Sequence, residues 1–172
     1  MIEKLSSEKI VELLNKKTEN RRWRDNIDRP FADFSAVGEI KDTNWRCGIL
    51  NYSIFSGIIF KNVDFSRSEL RYADFRDCIF ENCRFEGAEV QFANFCNAKF
   101  CNCIMDASFQ YANLAKCSMV SCMFGNADVA FANFNDCTFK NCEALNVEHL
   151  ILANLPMSLD GLNIDREQYG DL

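Results

Sequence analysis

Ten cysteines give this chain its most reactive side chains, since a thiol can form a disulfide, bind zinc or act as a nucleophile. Their spacing disfavours zinc, because the chain contains no Cys-x-x-Cys pair and only one histidine, His149. Seven of them occupy a slot that alanine fills elsewhere, two positions before an apolar residue that is large in six cases and is Ala144 in the case of Cys142: Cys78, Cys83, Cys103, Cys117, Cys122, Cys137 and Cys142. A reduced cysteine is small and readily buried, so we predict packing rather than metal or redox use, and we expect no metal ligand and no cofactor.

The acidic and imidazole groups form no recognisable catalytic arrangement. His149 stands near the C-terminal end of the sequence, where a structural or solvated role is expected. The acids Asp74 and Asp77 are expected on a convex surface, whereas catalytic groups need a concave site and shifted pKa values. No glycine-rich phosphate-binding loop occurs. We therefore predict that the protein is not an enzyme.

Length and charge narrow the class of protein further. The 172 residues suffice for one domain with a substantial core, and a net charge of −6 disfavours direct binding to nucleic acid, which needs a basic stripe. No run approaches the ~18 apolar residues of a membrane span, so no membrane contact is expected. Residues 1–17 are charged and lack the apolar segment of a signal peptide. Together with the many thiols, which suit a reducing compartment, this predicts a cytoplasmic protein.

A five-residue period organises the elements that carry these side chains. A small residue, a polar residue and a large apolar residue recur in the pattern of Ala73-Asp74-Phe75. The large residues are spaced by five at Ile40, Trp45, Leu50, Phe55, Phe60, Phe65, Leu70, Phe75, Phe80, Phe85, Val90, Phe95, Phe100 and Met105, and again at Phe109, Leu114, Met119, Phe124, Val129, Phe134 and Phe139. One residue is missing among Asp106, Ala107 and Ser108, which we interpret as a tightened corner. A fixed period of this kind predicts a repeat architecture.

A second period, of four repeats, emerges when the small slots are compared. Two columns of small residues are rich in cysteine, and the other two hold only glycine, serine or alanine. Residues 20 apart therefore lie above one another, which predicts a square coil with one five-residue repeat on each side. The large residue and the small residue two positions before it point inward. About five coils at the ~4.8 Å strand spacing form an all-β solenoid on the order of 25 Å long, with a filled centre.

The segments outside the repeats are expected to cover the ends of the rod. Residues 1–30 contain a predicted helix over 1–20, and residues 31–144 form the β-helix. Residues 145–172 form a C-terminal cap outside the repeat pattern, apart from one good repeat at Ala153-Asn154-Leu155. Basic residues after the helix either complement its dipole or form an anion-binding patch: Lys16, Lys17, Arg21, Arg22 and Arg24.

Two outward columns stand at corners of the predicted coil. One is an asparagine ladder, expected to be structural because asparagine suits turns and its amides bond to one another: Asn62, Asn82, Asn102, Ser121 and Asn141. The other is aromatic: Tyr52, Tyr72, Phe92, Tyr111 and Phe131. Its rings either stabilise one another by stacking or form a contact stripe. Our hypothesis is that this stripe binds a protein partner, with acids beside it: Glu69, Glu89 and Asp128 on the side before it, and Asp74 on the side after it.

The recurring signature Ala-Asp/Asn-Leu/Phe-x-x resembles the pentapeptide-repeat family. Its copies are Ala32-Asp33-Phe34, Ala73-Asp74-Phe75, Ala93-Asn94-Phe95, Ala112-Asn113-Leu114, Ala127-Asp128-Val129, Ala132-Asn133-Phe134 and Ala153-Asn154-Leu155. The match covers about two thirds of the chain. The resemblance implies a right-handed quadrilateral β-helix, and it implies little about function, since fold is a poor guide to role.

Two functions follow from the resemblance and from the outward residues. One branch of the family comprises quinolone-resistance and microcin- or albicidin-immunity proteins of bacteria, which mimic duplex DNA and act on DNA gyrase, usually as dimers. The charge distribution fits that branch only in part. Residues 1–59 carry 10 Lys/Arg and 9 Asp/Glu, residues 60–142 carry 8 and 10, and residues 143–172 carry 1 and 6, whereas a DNA mimic needs acids along the whole rod. The function that we place first is an adaptor, monomeric or homodimeric, that binds another protein through the outer faces of the rod.

Overall fold

The computed structural model describes residues 3–4, 30–144, 147–156 and 158–164, and over these ranges the chain winds as a four-sided parallel β-helix. In chain order the strands are β1 (Glu3–Lys4), β2 (Ala32–Asp33), β3 (Glu39–Lys41), β4 (Ile59–Lys61), β5 (Ile79–Glu81), β6 (Lys99–Cys101), β7 (Ser118–Val120), β8 (Thr138–Lys140), β9 (Cys142–Ala144) and β10 (Leu162–Ile164). One wall is a six-stranded sheet of β3 to β8, paired in chain order and in register, so that Phe60 lies opposite Phe80. Single bridges such as Glu69 to Glu89 join the other walls. The wall has six rungs, where the repeat pattern predicted about five coils.

The large and small slots both point inward, as the periodicity predicted. Phe75 and Ala73 are buried, and the ring of Phe75 stacks on that of Phe95 with centroids 4.9 Å apart and planes 6° from parallel. Rings of adjacent walls meet edge to face, as Phe75 and Phe80 do with centroids 5.6 Å apart. Both arrangements are favourable for aromatic pairs, and together they fill the centre of the rod.

The backbone of each side explains why aspartate or asparagine precedes the large residue. Asp74 Oδ1 accepts a hydrogen bond from the Arg76 amide, and Asn94 Oδ1 accepts one from the Cys96 amide, both at 3.1 Å. The Phe75 amide donates to the Asn94 carbonyl of the next turn at 2.7 Å. Donors that a corner would otherwise leave unpaired are therefore satisfied by the repeat motif itself.

The corners are turned by residues with positive φ. Asn62, Asn82 and Asn102 have φ of 53°, 54° and 54°, in the left-handed region that asparagine tolerates. Asn82 Nδ2 donates to Asn62 Oδ1 at 3.2 Å, and Asn102 Nδ2 donates to Asn82 Oδ1 at 3.3 Å. The predicted asparagine ladder is confirmed at these positions.

The missing residue is absorbed by a tighter corner, as predicted. The Ala107 amide donates to the Met105 carbonyl two residues back at 2.9 Å, whereas a regular corner spans three residues. The Asp106 carboxylate turns toward the following turn and accepts a hydrogen bond from the Asn126 amide at 3.1 Å. A Cβ at Gly125 would lie 2.6 Å from that carboxylate, so a larger residue there would require the Asp106 side chain to move.

At the N-terminal end of the stack, β1 pairs in parallel with β2. The prediction of a helix over 1–20 is wrong at residues 3–4, which are extended because they add a strand to the first turn. The remainder of that predicted helix and the basic residues after it lie outside the described residues. The first corner also holds one extra residue, because Phe34 and Ile40 are six positions apart, and Gly38 takes a φ of 77° there.

At the C-terminal end, the winding continues past β9. Strand β10 pairs with β9 in parallel, and Asn154 bridges to Asn133 in the turn below. A 3-10 helix at Leu150–Leu152 lies between these contacts. The described part of the predicted cap therefore extends the stack by most of another turn. The described residues include no helix with the length and apolar character that crossing a membrane requires.

The seven cysteines of the small slots are buried, as predicted. Six of their thiols contact carbonyls of the preceding turn, as Cys78 Sγ donates to the Phe55 oxygen and Cys117 Sγ donates to the Phe95 oxygen, each at 3.1 Å. Cys122 Sγ contacts the Val120 oxygen at 3.5 Å instead. Burial raises the pKa of the Cys78 thiol to about 12, so the reactive thiolate does not form near neutral pH. These thiols act as small core residues.

Thiol modification tests this placement. A disulfide reagent added to the reduced native protein is expected to reach only the partly exposed Cys47, Cys96 and Cys101, and to reach all ten thiols after denaturation. The reason is that the reagent needs an accessible thiolate. Colorimetric counting with peptide mass analysis locates the modified sites. Rapid native modification of Cys78 or Cys117 would contradict the buried placement.

Candidate partner-binding surface

Six aromatic rings form a continuous stack along one corner of the rod. They are the five rings that the sequence predicted together with one more: Phe31, Tyr52, Tyr72, Phe92, Tyr111 and Phe131. Neighbouring centroids are 4.8–5.0 Å apart and the planes are within 18° of parallel. Each of these side chains keeps 45–54% of its surface exposed. We call this set the aromatic ladder.

Phe31 was missed by the sequence analysis because the extra residue after Phe34 places it outside the five-residue frame. A signal for it was nevertheless present. Phe31 stands three positions before Phe34, as Tyr52 does before Phe55. Its ring stacks on Tyr52 with centroids 4.8 Å apart.

The backbone of the aromatic ladder does not favour aromatic residues. Its members have φ between 59° and 64°, where the other corners of the rod place mostly asparagine, aspartate or glycine. The exceptions at those other corners are Cys47, Arg67, Lys116, Ser121 and His149. A left-handed backbone costs an ordinary residue roughly 1–2 kcal/mol. Each stacked pair recovers roughly 0.5–1.5 kcal/mol, so the rings are close to neutral for folding. A large, uniformly exposed set of rings at this corner is therefore not explained by the needs of the backbone.

The stacking determines which part of each ring a partner can touch. Neighbouring rings cover one another's faces, so the aromatic ladder presents ring edges and the hydroxyl groups of Tyr52, Tyr72 and Tyr111. Nucleobases bind exposed aromatic faces by stacking, and such faces are available only at the two ends of this stack. A row of edges instead suits apolar side chains and backbone carbonyls, which interact with the positive ring edge.

The wall before the aromatic ladder carries a column in which Ser108 separates two pairs of acids, and we call these four acids the acidic column: Glu69, Glu89, Asp128 and Glu148. The structure thus places Glu69 and Glu89 next to each other and Asp128 beyond Ser108, with Glu148 as a fourth member that was not predicted. Three of the acids have a partner in the turn below. Asn51 donates a hydrogen bond to Glu69 at 3.0 Å, Gln110 donates one to Asp128 at 2.5 Å, and Arg71 forms an ion pair with Glu89 at 2.5 Å. Burial would raise the pKa of Asp128, but hydrogen bonds from the Ala130 amide, His149 and Gln110 hold it below its ordinary value.

The wall after the aromatic ladder carries a column made mainly of amides. Among its bridged residues the carboxylates are Asp33 and Asp74, and Asp74 is the one that was predicted for this surface. Asp74 bridges to Asn94, and Asn113 Nδ2 donates to Asn94 Oδ1 at 3.1 Å. Arg76 lies 2.6 Å from the Asp74 carboxylate, and this hydrogen-bonded pair raises the pKa of Arg76. Asp74 is therefore paired with a cation and lies apart from the acidic column. The wall before the aromatic ladder carries four acids in its column, whereas the wall after it carries two.

Comparison with known proteins gives the family. Two family models, both described as pentapeptide repeats, match residues 50–94 and residues 103–141. A comparison with curated proteins finds no match in sequence.

Solved structures similar to this chain include three pentapeptide-repeat or resistance proteins. QnrB1, a plasmid-mediated fluoroquinolone resistance protein, is 15% identical, with 84% of this chain and 92% of that chain covered and a TM-score of 0.41. Rfr23 from the cyanobacterium Cyanothece 51142 is 17% identical, with 74% and 88% covered and a TM-score of 0.37. HetL from Nostoc sp. strain PCC 7120, involved in heterocyst differentiation regulation, is 15% identical, with 90% and 97% covered and a TM-score of 0.29. From the matched repeats and from the four-sided β-helix that they build, this chain belongs to the pentapeptide-repeat family.

Proposed function

We propose that this protein is a non-enzymatic binding module that docks another protein along the aromatic ladder. The observation that carries the proposal is the unbroken run of six half-exposed rings from Phe31 to Phe131. An aromatic side chain has roughly 200 Å² of surface, so six half-exposed rings offer about 600 Å². That area is most of the ~800 Å² that one partner contributes to a standard interface, and it lies at the upper end of the apolar patches found on monomers.

The surroundings of the aromatic ladder indicate the chemistry of the partner. An exposed corner is convex, so the partner needs an apolar groove that accepts the row of ring edges. The acidic column lies along one side only, which favours lysine, arginine or amide donors on the matching rim of that groove. The opposite rim meets amides, such as Asn94 and Asn113, and needs hydrogen-bonding groups rather than charge. We therefore propose a protein partner with a groove that is basic on one rim.

The buried thiols support a reducing compartment for this module. A stack of reduced cysteines in the core is typical of proteins that are kept away from oxidants. The seven small-slot thiols contact backbone carbonyls and their packing needs no disulfide. We propose the cytoplasm as the site of action.

Replacing two central rings by the residue used at another corner tests the docking surface. The double variant Tyr72→Asn with Phe92→Asn should remain folded, because asparagine already occupies the left-handed corners at Asn62 and Asn82. We expect its affinity for the partner to fall at least ~100-fold, since central aromatic contacts each contribute roughly 2 kcal/mol or more to an interface. The measurement is binding of each purified variant to a protein captured by the unmodified chain and identified by mass spectrometry.

A matched control carries the same number of corner substitutions away from the aromatic ladder. The variant Asn82→Ser with Asn102→Ser alters the asparagine ladder and leaves the rings in place. A captured protein that binds this control normally and binds the ring variant weakly supports the proposal. Equal binding to both variants would show that the partner uses another surface.

A second candidate function rests on the acidic column, which places carboxylates on one wall of the rod as a DNA mimic would. In this alternative the protein binds DNA gyrase, a type II topoisomerase, and confers resistance or immunity to gyrase poisons. The pairing of Glu89 with Arg71 and of Asp74 with Arg76 lowers the net charge of the walls, which is why we place docking at the aromatic ladder first. A gyrase supercoiling assay with and without a quinolone separates the two. Inhibition of supercoiling, or protection of gyrase from the quinolone, at micromolar protein supports the DNA mimic. The absence of any effect favours the docking module.

A further inference from the structure

We propose that Asp128, Glu148 and His149 form a binding site for a divalent transition-metal ion at the last turns of the rod. Each residue offers one ligand atom, and these atoms lie within 4.8 Å of one another. The site does not depend on the aromatic ladder or on the identity of a partner.

The acidic column provides the first argument, because its pairing pattern breaks at Glu148. Glu69 and Asp128 each accept a hydrogen bond from the amide side chain that lies 18 positions earlier, and Arg71 occupies the same position relative to Glu89. The corresponding residue for Glu148 is Ala130, which has no side-chain donor. In the part of the chain that the structure describes, no side chain donates to the Glu148 carboxylate. A carboxylate directly above Asp128 is thus left without the hydrogen-bond donor or cation that the other three acids have.

The position of His149 provides the second argument. Val147 occupies the small inward slot of this side, and the inward position that follows is taken by Leu150 rather than by residue 149. His149 is the extra residue, with a φ of 59°, so its imidazole is placed on the outer surface. Its Nδ1 lies 3.0 Å from Asp128 Oδ1 in the turn below. The insertion therefore places the imidazole of this chain's one histidine against two stacked carboxylates.

The ligand set indicates the class of ion. Two carboxylates balance a divalent charge, and an imidazole favours zinc, nickel or cobalt over calcium or magnesium, which prefer oxygen ligands alone. Zinc bonds to nitrogen and oxygen are ~2.0–2.2 Å long, so ligand atoms around one ion stand roughly 3–3.5 Å apart. Asp128 Oδ1 and His149 Nδ1 already have this spacing at 3.0 Å. The ligand atoms of the set lie within 4.8 Å of one another, so the most distant pair needs to approach by about one ångström, and Glu148 is an exposed side chain. Three protein ligands leave a coordination position for water.

The consequence of binding would be a clamp between two turns. Asp128 belongs to one turn, whereas Glu148 and His149 belong to the next, and these are joined by the bridge from Asp128 to Glu148. An ion held by all three adds a cross-link near the C-terminal end of the described stack. There the last described turn has a neighbouring turn on one side only. A ligand that binds only the folded state raises its stability in proportion to the logarithm of ligand concentration.

Binding is tested with the full-length, untagged, reduced protein and Co²⁺ or Zn²⁺. Titration calorimetry is expected to show one ion per chain, and His149→Ala and Glu148→Gln are each expected to weaken binding at least ~10-fold. The control Glu143→Gln makes the same change of charge on another wall and should bind normally. The Co²⁺ complex should show no sulfur-to-metal charge-transfer band. Unchanged binding in both variants, no binding at all, or a thiolate band that places the ion on cysteine would each overturn the proposal.

Thermal unfolding separates a specific clamp from loose surface binding. The ten thiols exposed by unfolding also bind Zn²⁺ and lower the midpoints of all variants, so the readout is the difference between two proteins. At about 100 times the dissociation constant, the change in midpoint that Zn²⁺ causes in the unmodified protein is expected to lie roughly 5–10 °C above the change that it causes in His149→Ala. An equal change in both proteins would contradict the site.

Discussion

Replacing Phe75 by alanine is expected to lower the free energy of unfolding by about 3–5 kcal/mol, the range found for large-to-alanine changes in protein cores. The ring is buried, stacks on Phe55 and Phe95 with centroids 4.8 Å and 4.9 Å away, and meets Phe80 edge to face. Removing it opens a cavity that rigid neighbouring turns cannot close, because both hold their own rings in register. For a chain of this size the midpoint of thermal unfolding should fall by about 10 °C or more.

The matched control for this change is Phe75→Leu. The same column of the core already holds Leu114, so the wall accommodates leucine without a change of backbone. A swap of similar volume should cost less than ~1.5 kcal/mol. Circular dichroism melts of the two variants provide the comparison. Equal melting points for Phe75→Ala and the unmodified protein would mean that the stacked rings of the core do not stabilise the fold.

Replacing Gly161 by alanine is expected to detach the last strand. Gly161 has a φ of 82°, and a Cβ there would lie 2.4 Å from the Phe139 carbonyl oxygen and 2.9 Å from its carbon. These are backbone atoms of β8, which cannot turn away as a side chain would. We add roughly 1–2 kcal/mol for the left-handed backbone to roughly 1–3 kcal/mol for the overlap and expect a loss of about 2–5 kcal/mol.

Hydrogen exchange provides the local measurement for this variant. The Cys142 amide donates to the Gly161 carbonyl at 2.9 Å, so its protection should be lost when β10 separates from β9. Gly57→Ala is the matched control, because Gly57 has a φ of 78° and nothing lies within 4 Å of its Cβ position. Gly57→Ala should lose only the roughly 1–2 kcal/mol that a left-handed backbone costs a residue other than glycine. Retained protection at Cys142 in Gly161→Ala would contradict a strand held by close packing.

The sequence was sufficient to predict the walls of the rod because burial and hydrogen bonding repeat with the same period. A position such as Phe75 is specified twice, once by its spacing of five from Leu70 and Phe80 and once by its spacing of 20 from Phe55 and Phe95. The tightened corner near Ala107 was predicted for the same reason, since the columns return in order after it. Five of the six rings in the aromatic ladder followed from the spacing of 20 together with the one spacing of 19, from Phe92 to Tyr111, that spans the missing residue.

Most features that escaped prediction lie where the repeat pattern changes. Extra residues after Phe34 and at His149 are absorbed in corners, and a corner with one more residue has no distinct local pattern in the sequence. Phe31 was therefore not assigned to its column. Glu148 keeps the spacing of 20 from Asp128, but it is followed by His149 rather than by a large apolar residue, so the repeat motif was not recognised there. The pairing of β1 with β2 was missed because residues 3–4 carry no repeat motif. Partners such as Arg71 and Glu89 are diagonal neighbours 18 positions apart, and choosing them requires the direction of each side chain as well as the period.

In-register pairing has a consequence for how such a chain changes length over evolution. Each turn offers its neighbours the same two edges, so the pairing of Phe60 with Phe80 is the same as that of Phe80 with Phe100. A tandem duplication of one 20-residue unit inserts a turn without altering either terminus, and it lengthens the molecule by ~4.8 Å. Selection can thus adjust the reach of the molecule in fixed increments, as with a ruler, while the surfaces at its two ends stay the same.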